Sequence, residues 1–228
     1  MDFFERTNLL IDTENLKNKT VAIFGLGGVG CYVVEGLVRA GIHSFVLIDY
    51  DTIALSNINR HLLAFFGTIG QKKTTLQKER ILKIQPDAKV VVYDFMFQQE
   101  NANQIDFTQI DFIVDAIDMV SAKIALIQIA KEKNIPILSC MGTGNRINPF
   151  LFEITDIAKT SICPLAKVMR IELKKRNIKN VPVLYSKEIP TKKIASEEHG
   201  KHSPGSISFL PAVAGMCIAS YVIKELCI

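Results

Sequence analysis

A chain of 228 residues, 48% of them hydrophobic, with a net charge of +4 from 27 Lys and Arg against 23 Asp and Glu, is long enough to bury one good core and too apolar for disorder. Five cysteines, Cys31, Cys140, Cys163, Cys217 and Cys227, are odd in number and form no C-x-x-C pair, which argues against a disulfide framework or a closed zinc site. Met1-Asp-Phe-Phe-Glu-Arg6 carries no basic, apolar or small-residue leader pattern, so a cytoplasmic protein is expected. Along the chain, short β-branched apolar runs at 21–24, 45–48, 90–93, 112–115 and 135–138 predict strands, and stretches of helical period at 30–40, 71–85 and 121–133 fall between several of them. That alternation predicts an α/β fold, a Rossmann-like doubly wound and mostly parallel sheet with helices on both faces. Pro86 ends the helix that begins near Gln71. Past residue 140 the pattern loosens: 141–149 reads as a turn-rich connector, 164–176 as a helix, and 186–206, with Lys192-Lys193, Glu197-Glu198 and Gly200 to Gly205, as a solvated loop in preference to a substrate-covering one. Phe209 to Ile223 is interrupted by Pro211 and Gly215 and stops at Lys224-Glu225; short of the roughly 20 residues a bilayer needs, it predicts a buried core helix. No internal repeat is present.

The motif that carries most information is Gly25-Leu-Gly27-Gly28-Val-Gly30, a G-x-G-x-x-G between a predicted strand and a predicted helix. Glycines there permit a tight turn and let backbone N–H groups and the helix N-terminus approach a phosphate. Asp49, at the end of the second apolar run, stands where a carboxylate meets ribose hydroxyls. These features alone suit a nicotinamide-dependent oxidoreductase equally well. Arg60 and Lys73, one segment further on, favour ATP, because a triphosphate benefits from cationic clamps and a metal where a pyrophosphate is served by amides and a helix dipole. Asp118, in Asp115-Ala-Ile-Asp118 after the fourth strand, faces the usual crevice and suits magnesium. Each has a plainer alternative: Lys73 as a solvated helix residue, Arg60 as a carbonyl-bonded loop cap, Asp118 as a helix N-cap.

Taken together, Gly25 to Gly30, Asp49-Tyr-Asp51, Ser56-Asn57-Ile-Asn-Arg60, Gly70-Gln-Lys-Lys73 and Asp115-Ala-Ile-Asp118 resemble the adenylation core of the ThiF/MoeB group, relatives of the ubiquitin-activating enzymes, in order over about residues 6–145. Ser139 to Asn145, Asp156 to Thr160, Pro164 to Arg170 and Pro204 to Gly215 are similar to its tRNA threonylcarbamoyladenosine dehydratase branch and extend the likeness over nearly the whole chain. The resemblance implies a single adenylation domain over 1–228, its nucleotide-binding core at about 20–145 and a substrate-facing part at about 146–228. It implies that Gly25, Gly27, Gly28 and Gly30 cradle ATP, that Asp49 binds its ribose, that Asp51 belongs to the cofactor-binding set, and that Asn57, Arg60 and Lys73 hold the phosphates. Asp118 would position magnesium, and Arg60, Lys73 and Asp118 would be the catalytic set. It further implies a homodimer in which Arg6 corresponds to an arginine that reaches ATP in the other subunit, and it leaves room for a sulfur-transfer or redox partner protein. The implied reaction is adenylation of a carboxylate on a modified tRNA adenosine, followed by ring closure with loss of water. The intramolecular step would need no enzymic nucleophile, so Cys140 and Cys163 are expected to be structural.

Lys159 to Asn180 holds seven cations against Glu172 alone. At 100° per residue Lys167, Arg170 and Lys174 form a stripe opposite Leu165, Val168, Met169 and Leu173, which predicts a tRNA-facing helix; a merely solvated face is its plainer alternative. Three other functions share parts of the motif: activation of the C-terminus of a ubiquitin-like sulfur carrier, a nicotinamide-dependent dehydrogenase, and a non-catalytic nucleotide sensor. The missing zinc cysteines and the basic helix weigh against the first, and the cationic clamp against the other two.

Overall fold

The computed structural model describes residues 3–191, 196–198 and 201–227, with 196–198 and 201–203 as backbone only; Lys192, Lys193 and Gly200 of the polar segment lie outside it. Two short helices, α1 (Glu5–Asn8) and α2 (Thr13–Lys17), lead into β1 (Thr20–Phe24), α3 (Gly30–Ala40), β2 (Ser44–Ile48), α4 (Lys73–Ile84) and β3 (Lys89–Tyr93). There follow β4 (Phe112–Asp115), α5 (Val120–Glu132), β5 (Ile137–Cys140), β6 (Phe152–Asp156), α6 (Pro164–Lys175), β7 (Pro182–Ser186), the hairpin β8 (Ser196–Glu198) and β9 (Lys201–Ser203), and α7 (Phe209–Cys227). Seven strands make one sheet in the order β3-β2-β1-β4-β5-β7-β6. All pairs are parallel except β6 with β7.

The predicted α/β class holds, for a plain physical reason. A parallel sheet is covered on both faces, so its strands are continuous apolar runs: Val21 to Phe24 and Phe112 to Asp115 are buried throughout. Side chains alternate between two cores. Ala22, Phe24 and Ile113 pack with α5 and α6, while Val21, Ile23, Phe112 and Val114 pack with α2, α3 and α7. The 135–138 run sits two residues later, as β5, because Pro136 lacks an N–H and contributes only its carbonyl, which accepts from Ile113 N–H at 2.8 Å. The helix expected from Gln71 starts at Lys73, since Lys72 bridges to Thr52. The segment expected to be an unstructured loop holds the end of β7 and the β8–β9 hairpin.

α7 is long and apolar enough to cross a membrane by length and composition. Here it lies along α3, burying Leu210, Ala214, Ile218 and Val222 into the core, as the sequence predicts. What matters for the site is the sheet's reversal. The chain runs outward from β1 to β2 and β3, then returns to β4 on the other side of β1. The connections leaving β1 and β4 therefore diverge, and a crevice opens at the strands' C-terminal ends.

Candidate active site

A cavity of about 440 Å³ fills that crevice, and it collects Gly25, Gly27, Gly28, Asp49, Asp51, Asn57, Arg60, Lys73 and Asp118. Gly30 stands just behind, opening α3. Gly25 has φ +88°, and a Cβ on it would lie 2.6 Å from the Ala116 carbonyl oxygen; a Cβ on Gly30 would lie 1.9 Å from the Gly25 carbonyl oxygen. The turn thus needs glycine at both positions to seat α3 over β1. Gly27 differs: a Cβ there would meet nothing within 4 Å, so its missing side chain is cavity space and not packing space.

Asp49, 8% exposed, holds the loop's shape. One carboxylate oxygen accepts from Leu26 N–H at 2.6 Å and the other from Asp51 N–H at 2.8 Å. Each oxygen keeps a lone pair for a ligand hydroxyl. On the far side of Leu26 stands His61, which the sequence reading passed over. It is 5% exposed; its Nε2 is 2.7 Å from the Leu26 carbonyl oxygen, and its Nδ1 accepts from Leu63 N–H at 3.1 Å. This pairing assigns the neutral tautomer with the proton on Nε2. Burial pushes its pKa down to about 4, with the charges of Lys73 and Arg60 adding to the effect.

Lys73 is no solvated helix residue: it is 6% exposed and its Nζ lies 2.7 Å from an Asp51 carboxylate oxygen. Arg60 lines the cavity and also plays the plainer part, its Nη1 donating to the Ser56 carbonyl at 2.7 Å and to Asn59 Oδ1 at 2.9 Å. Asn57 turns its Oδ1 to Ala54 N–H at 3.2 Å. Asp118 is exposed, does not cap α5, whose N-cap is Met119, and has no hydrogen bond or ion pair among the described residues. Beneath it lies a second feature the sequence reading missed. Asp115 and Lys123 are fully buried and paired at 2.9 Å; Ser139 donates to Asp115 at 2.5 Å, Asp115 accepts from Ile117 N–H at 3.2 Å, and Lys123 donates to the Ile117 carbonyl at 3.0 Å. The Ala116–Asp118 connection is thereby clamped from below. No local pattern announces such a network, because its members meet across three elements.

The cavity continues past β4 to the end of β5, where Met141, Gly142, Thr143, Gly144, Leu165 and Pro204 form the opposite wall. Cys140 and Cys163 are buried, and burial pushes the Cys140 thiol up to about 12, which leaves it without nucleophilic thiolate. The expected stripe on α6 needs correction. Ala166, Met169 and Leu173 form the buried face, whereas Val168 is 44% exposed, because it points well over a quarter-turn away from them. Arg170 is half-buried, donating from Nη1 to both the carbonyl and the hydroxyl of Thr160. Lys167 and Lys174 remain exposed. Arg6 is exposed on α1 and is not part of the cavity wall.

A glycine loop that leaves open space at Gly27, a buried carboxylate bracing that loop, two cations and a carboxylate unpaired among the described residues can together bind a nucleotide triphosphate. Comparisons with known proteins agree. The chain is 37% identical to the tRNA threonylcarbamoyladenosine dehydratase of Bacillus subtilis, over 98% of this chain and 94% of that one. The crystal structure of the Escherichia coli tRNA N6-threonylcarbamoyladenosine dehydratase in complex with ATP superimposes with a TM-score of 0.85 at 29% identity, over 97% of this chain and 89% of that one. A more distant relative, ubiquitin-like modifier-activating enzyme 5 of Caenorhabditis briggsae, is 29% identical over 57% of this chain and 32% of its own. The ThiF family model matches residues 5–227, and the chain belongs to the ThiF family.

Proposed function

We propose that this chain uses ATP to activate the carboxylate of a threonylcarbamoyl group on a tRNA adenosine and closes that group into a ring with loss of water. The observation that carries the reading is kinship with a dehydratase over 98% of this chain, where a modifier-activating relative matches only 57% of it. ATP would lie with its phosphates over Gly27, Gly28 and the N-terminus of α3, its ribose on Asp49, and its charge met by Arg60, Lys73 and Asn57. Asp118 suits Mg²⁺: a single unpartnered carboxylate beside phosphate oxygens is the set that ion takes, and no cluster of three ligating side chains exists among the described residues to hold a metal otherwise. Bound there, magnesium would neutralise phosphate charge.

The substrate carboxylate attacks the α-phosphorus, the α–β anhydride bond breaks and pyrophosphate leaves. A nitrogen or oxygen of the same side chain then attacks the activated carbonyl carbon, AMP departs with the carboxylate oxygen, and the side chain releases a proton to solvent, which completes the net loss of water. The chain's part is to hold the nucleotide and carboxylate in line and to stabilise charge at the α-phosphate, since a tethered attacker has high effective molarity. Lys167 and Lys174 on α6 supply exposed cations for the tRNA.

The domain division at about 145, a cytoplasmic site of action, the homodimer and the reach of Arg6 into the other subunit belong to the same proposal. Self-association is supported by an apolar groove of about 630 Å³ between α3, β6 and α7, lined by Tyr32, Phe152, Ile154, Val213 and Met216. A sulfur-transfer or redox partner would find Cys140 and Cys163 buried. Mass spectrometry of nucleosides from threonylcarbamoylated tRNA incubated with ATP and the purified chain tests the reading. A product lighter by one water, with stoichiometric pyrophosphate, is expected. Pyrophosphate release with a ubiquitin-like carrier and none with the tRNA would overturn it.

A further inference from the structure

The cavity's far wall follows β5. Gly142, Thr143 and Gly144 line it, and none of their N–H groups donates a hydrogen bond among the described residues. The carbonyls of Gly142 and Gly144 are otherwise engaged. Arg146, 4% exposed, donates from Nη1 to the Gly142 carbonyl at 2.7 Å and to the Gly144 carbonyl at 3.2 Å, and from Nε to the Glu188 carbonyl at 3.0 Å. Its Nη2 is buried with no partner. The carboxylate of Glu188 is no counter-ion, being taken up by Ile147 N–H and Asn148 N–H at 2.8–3.1 Å. A buried cation without a carboxylate partner is costly unless something answers it.

Peptide planarity completes the picture. In a trans peptide the carbonyl and the following N–H point in opposite directions, so turning the Gly142 carbonyl into Arg146 turns Thr143 N–H away from it, to the side where the cavity lies. The next such peptide is settled differently, because Asn145 N–H donates to the Gly205 carbonyl at 2.8 Å, while the Asn145 side chain accepts from Gly205 N–H at 2.7 Å. Asn145, at φ +59°, thus pins the loop to the segment after β9, and Thr143 N–H is left facing the cavity with positive charge behind it, next to a Gly144 N–H that has no partner among the described residues.

We propose that this loop is the subsite for the acceptor carboxylate, with Thr143 N–H donating to it, the free Gly144 N–H beside it, and Arg146 as the positioning residue that holds the Gly142 carbonyl, and with it the Thr143 peptide, turned back. The assignment rests on the adenylation reading above. It places the carboxylate two strands from the glycine loop, about 10 Å across the sheet, on the opposite side of the crevice from Arg60 and Lys73.

The test is a kinetic split on the full chain. Arg146→Met removes the donors and keeps much of the volume; Arg146→Lys keeps charge and one donor; Thr143→Pro deletes one N–H with Arg146 in place. ATP affinity is read by calorimetry, and kcat and KM for threonylcarbamoylated tRNA by pyrophosphate release. We expect ATP affinity within about twofold of wild type throughout, and a KM for tRNA raised about 10- to 100-fold in Arg146→Met and Thr143→Pro, the loss of one charge-assisted hydrogen bond. Arg146→Lys should recover part of it. An unchanged KM in both variants overturns the subsite. Loss of ATP affinity equal to the loss for tRNA also overturns it, since the role would then be general support of the cavity. Failure of the wild-type chain to release pyrophosphate with this tRNA at all is a different result, which removes the adenylation reading and the subsite with it.

Discussion

The sharpest consequence of the site's construction concerns His61. Its ring bridges the Leu26 carbonyl of the glycine loop and Leu63 N–H, and it does so only when neutral. Burial, with Lys73 and Arg60 adding, brings its folded pKa from 6.5 to about 4. In the unfolded chain it takes up a proton as pH falls below about 6.5, while the folded chain refuses one until about 4. The native state therefore keeps its full stability from this site above pH 6.5 and loses it progressively between 6.5 and 4. From about pH 7.5 to about pH 4.5 the span below 6.5 is about two units, or about 3 kcal/mol at roughly 1.4 kcal/mol per unit, against a total stability of about 5–15 kcal/mol. Glutamine can donate from its amide to Leu26 and accept from Leu63 without titrating. Urea denaturation at both pH values should show wild type losing about 3 kcal/mol more than His61→Gln, with the carboxylates common to both cancelling. His61→Leu orphans both backbone groups, and at about 1–3 kcal/mol each it should be the least stable of the three at about pH 7.5, where histidine is neutral in either state. Identical pH dependence in wild type and His61→Gln, or a leucine variant as stable as the glutamine one, would refute this account.

The two glycines of opposite character should separate in mutation. Gly30→Ala drives a Cβ into the Gly25 carbonyl and should lower the melting temperature together with ATP affinity; Gly27→Ala, facing open space, should leave the melting temperature within about 2 °C, as for a substitution worth less than about 0.5 kcal/mol, and still weaken ATP in calorimetry. Serine at both Cys140 and Cys163 should leave cyclisation within a few-fold of wild type, because no thiolate is used; abolition of the product in mass spectrometry would instead indicate a thioester. Lys167→Glu with Lys174→Glu should weaken tRNA binding and flatten its salt dependence by about two phosphate contacts with ATP affinity unchanged. Arg170 is left out of that variant because it ties α6 to Thr160, and unaltered tRNA binding at physiological salt would remove the interface.

Sequence and structure part company where contacts become long-range. β1, β2 and β4 could be read to within a residue because strands buried on both faces leave continuous apolar runs, and β3, an edge strand that is only partly buried, because Val90-Val-Val-Tyr93 is apolar all the same. β6, Phe152-Glu-Ile-Thr-Asp156, is an edge strand half-buried along its length, so it carries no such run and was not foreseen. The residues expected to hold a nucleotide, from Gly25 to Asp118, form an ordered local pattern, and all but Gly30 line one cavity. The groups that brace that cavity left no pattern. Lys123 is one lysine in a helix until Asp115 is known to lie beneath it, and Arg146 is one arginine in a turn-rich connector until the carbonyls of Gly142 and Gly144 are seen to converge on it. On α6 the period was right and the centre of the buried face was not, since helical angles alone do not say which of Val168 and Ala166 meets the core.

The state of the two cations bears on how a triphosphate would enter. Lys73 is held by Asp51, and Arg60 by the Ser56 carbonyl and Asn59. Ordering these long side chains at the moment of binding would cost rotamer entropy of about 1–2 kcal/mol apiece, and stripping a free ammonium of water would cost more. Both costs are already met by folding. A phosphate oxygen need only replace a carboxylate or a carbonyl, and the partners it displaces are easily rehydrated: the Asp51 side chain is 45% exposed, and the Ser56 residue is exposed. On the proposed reading the crevice exchanges weak internal acceptors for the stronger charge of the nucleotide, and Asp118, lacking any internal donor among the described residues, stays available for the metal that accompanies it. Removing Asp51's charge should then free Lys73 early and loosen it, so Asp51→Asn is expected to weaken ATP binding modestly, about two- to fivefold, despite deleting a negative charge beside a polyanion's site. Tighter ATP binding in calorimetry would mean that Asp51 acts as a competitor and not as a holder.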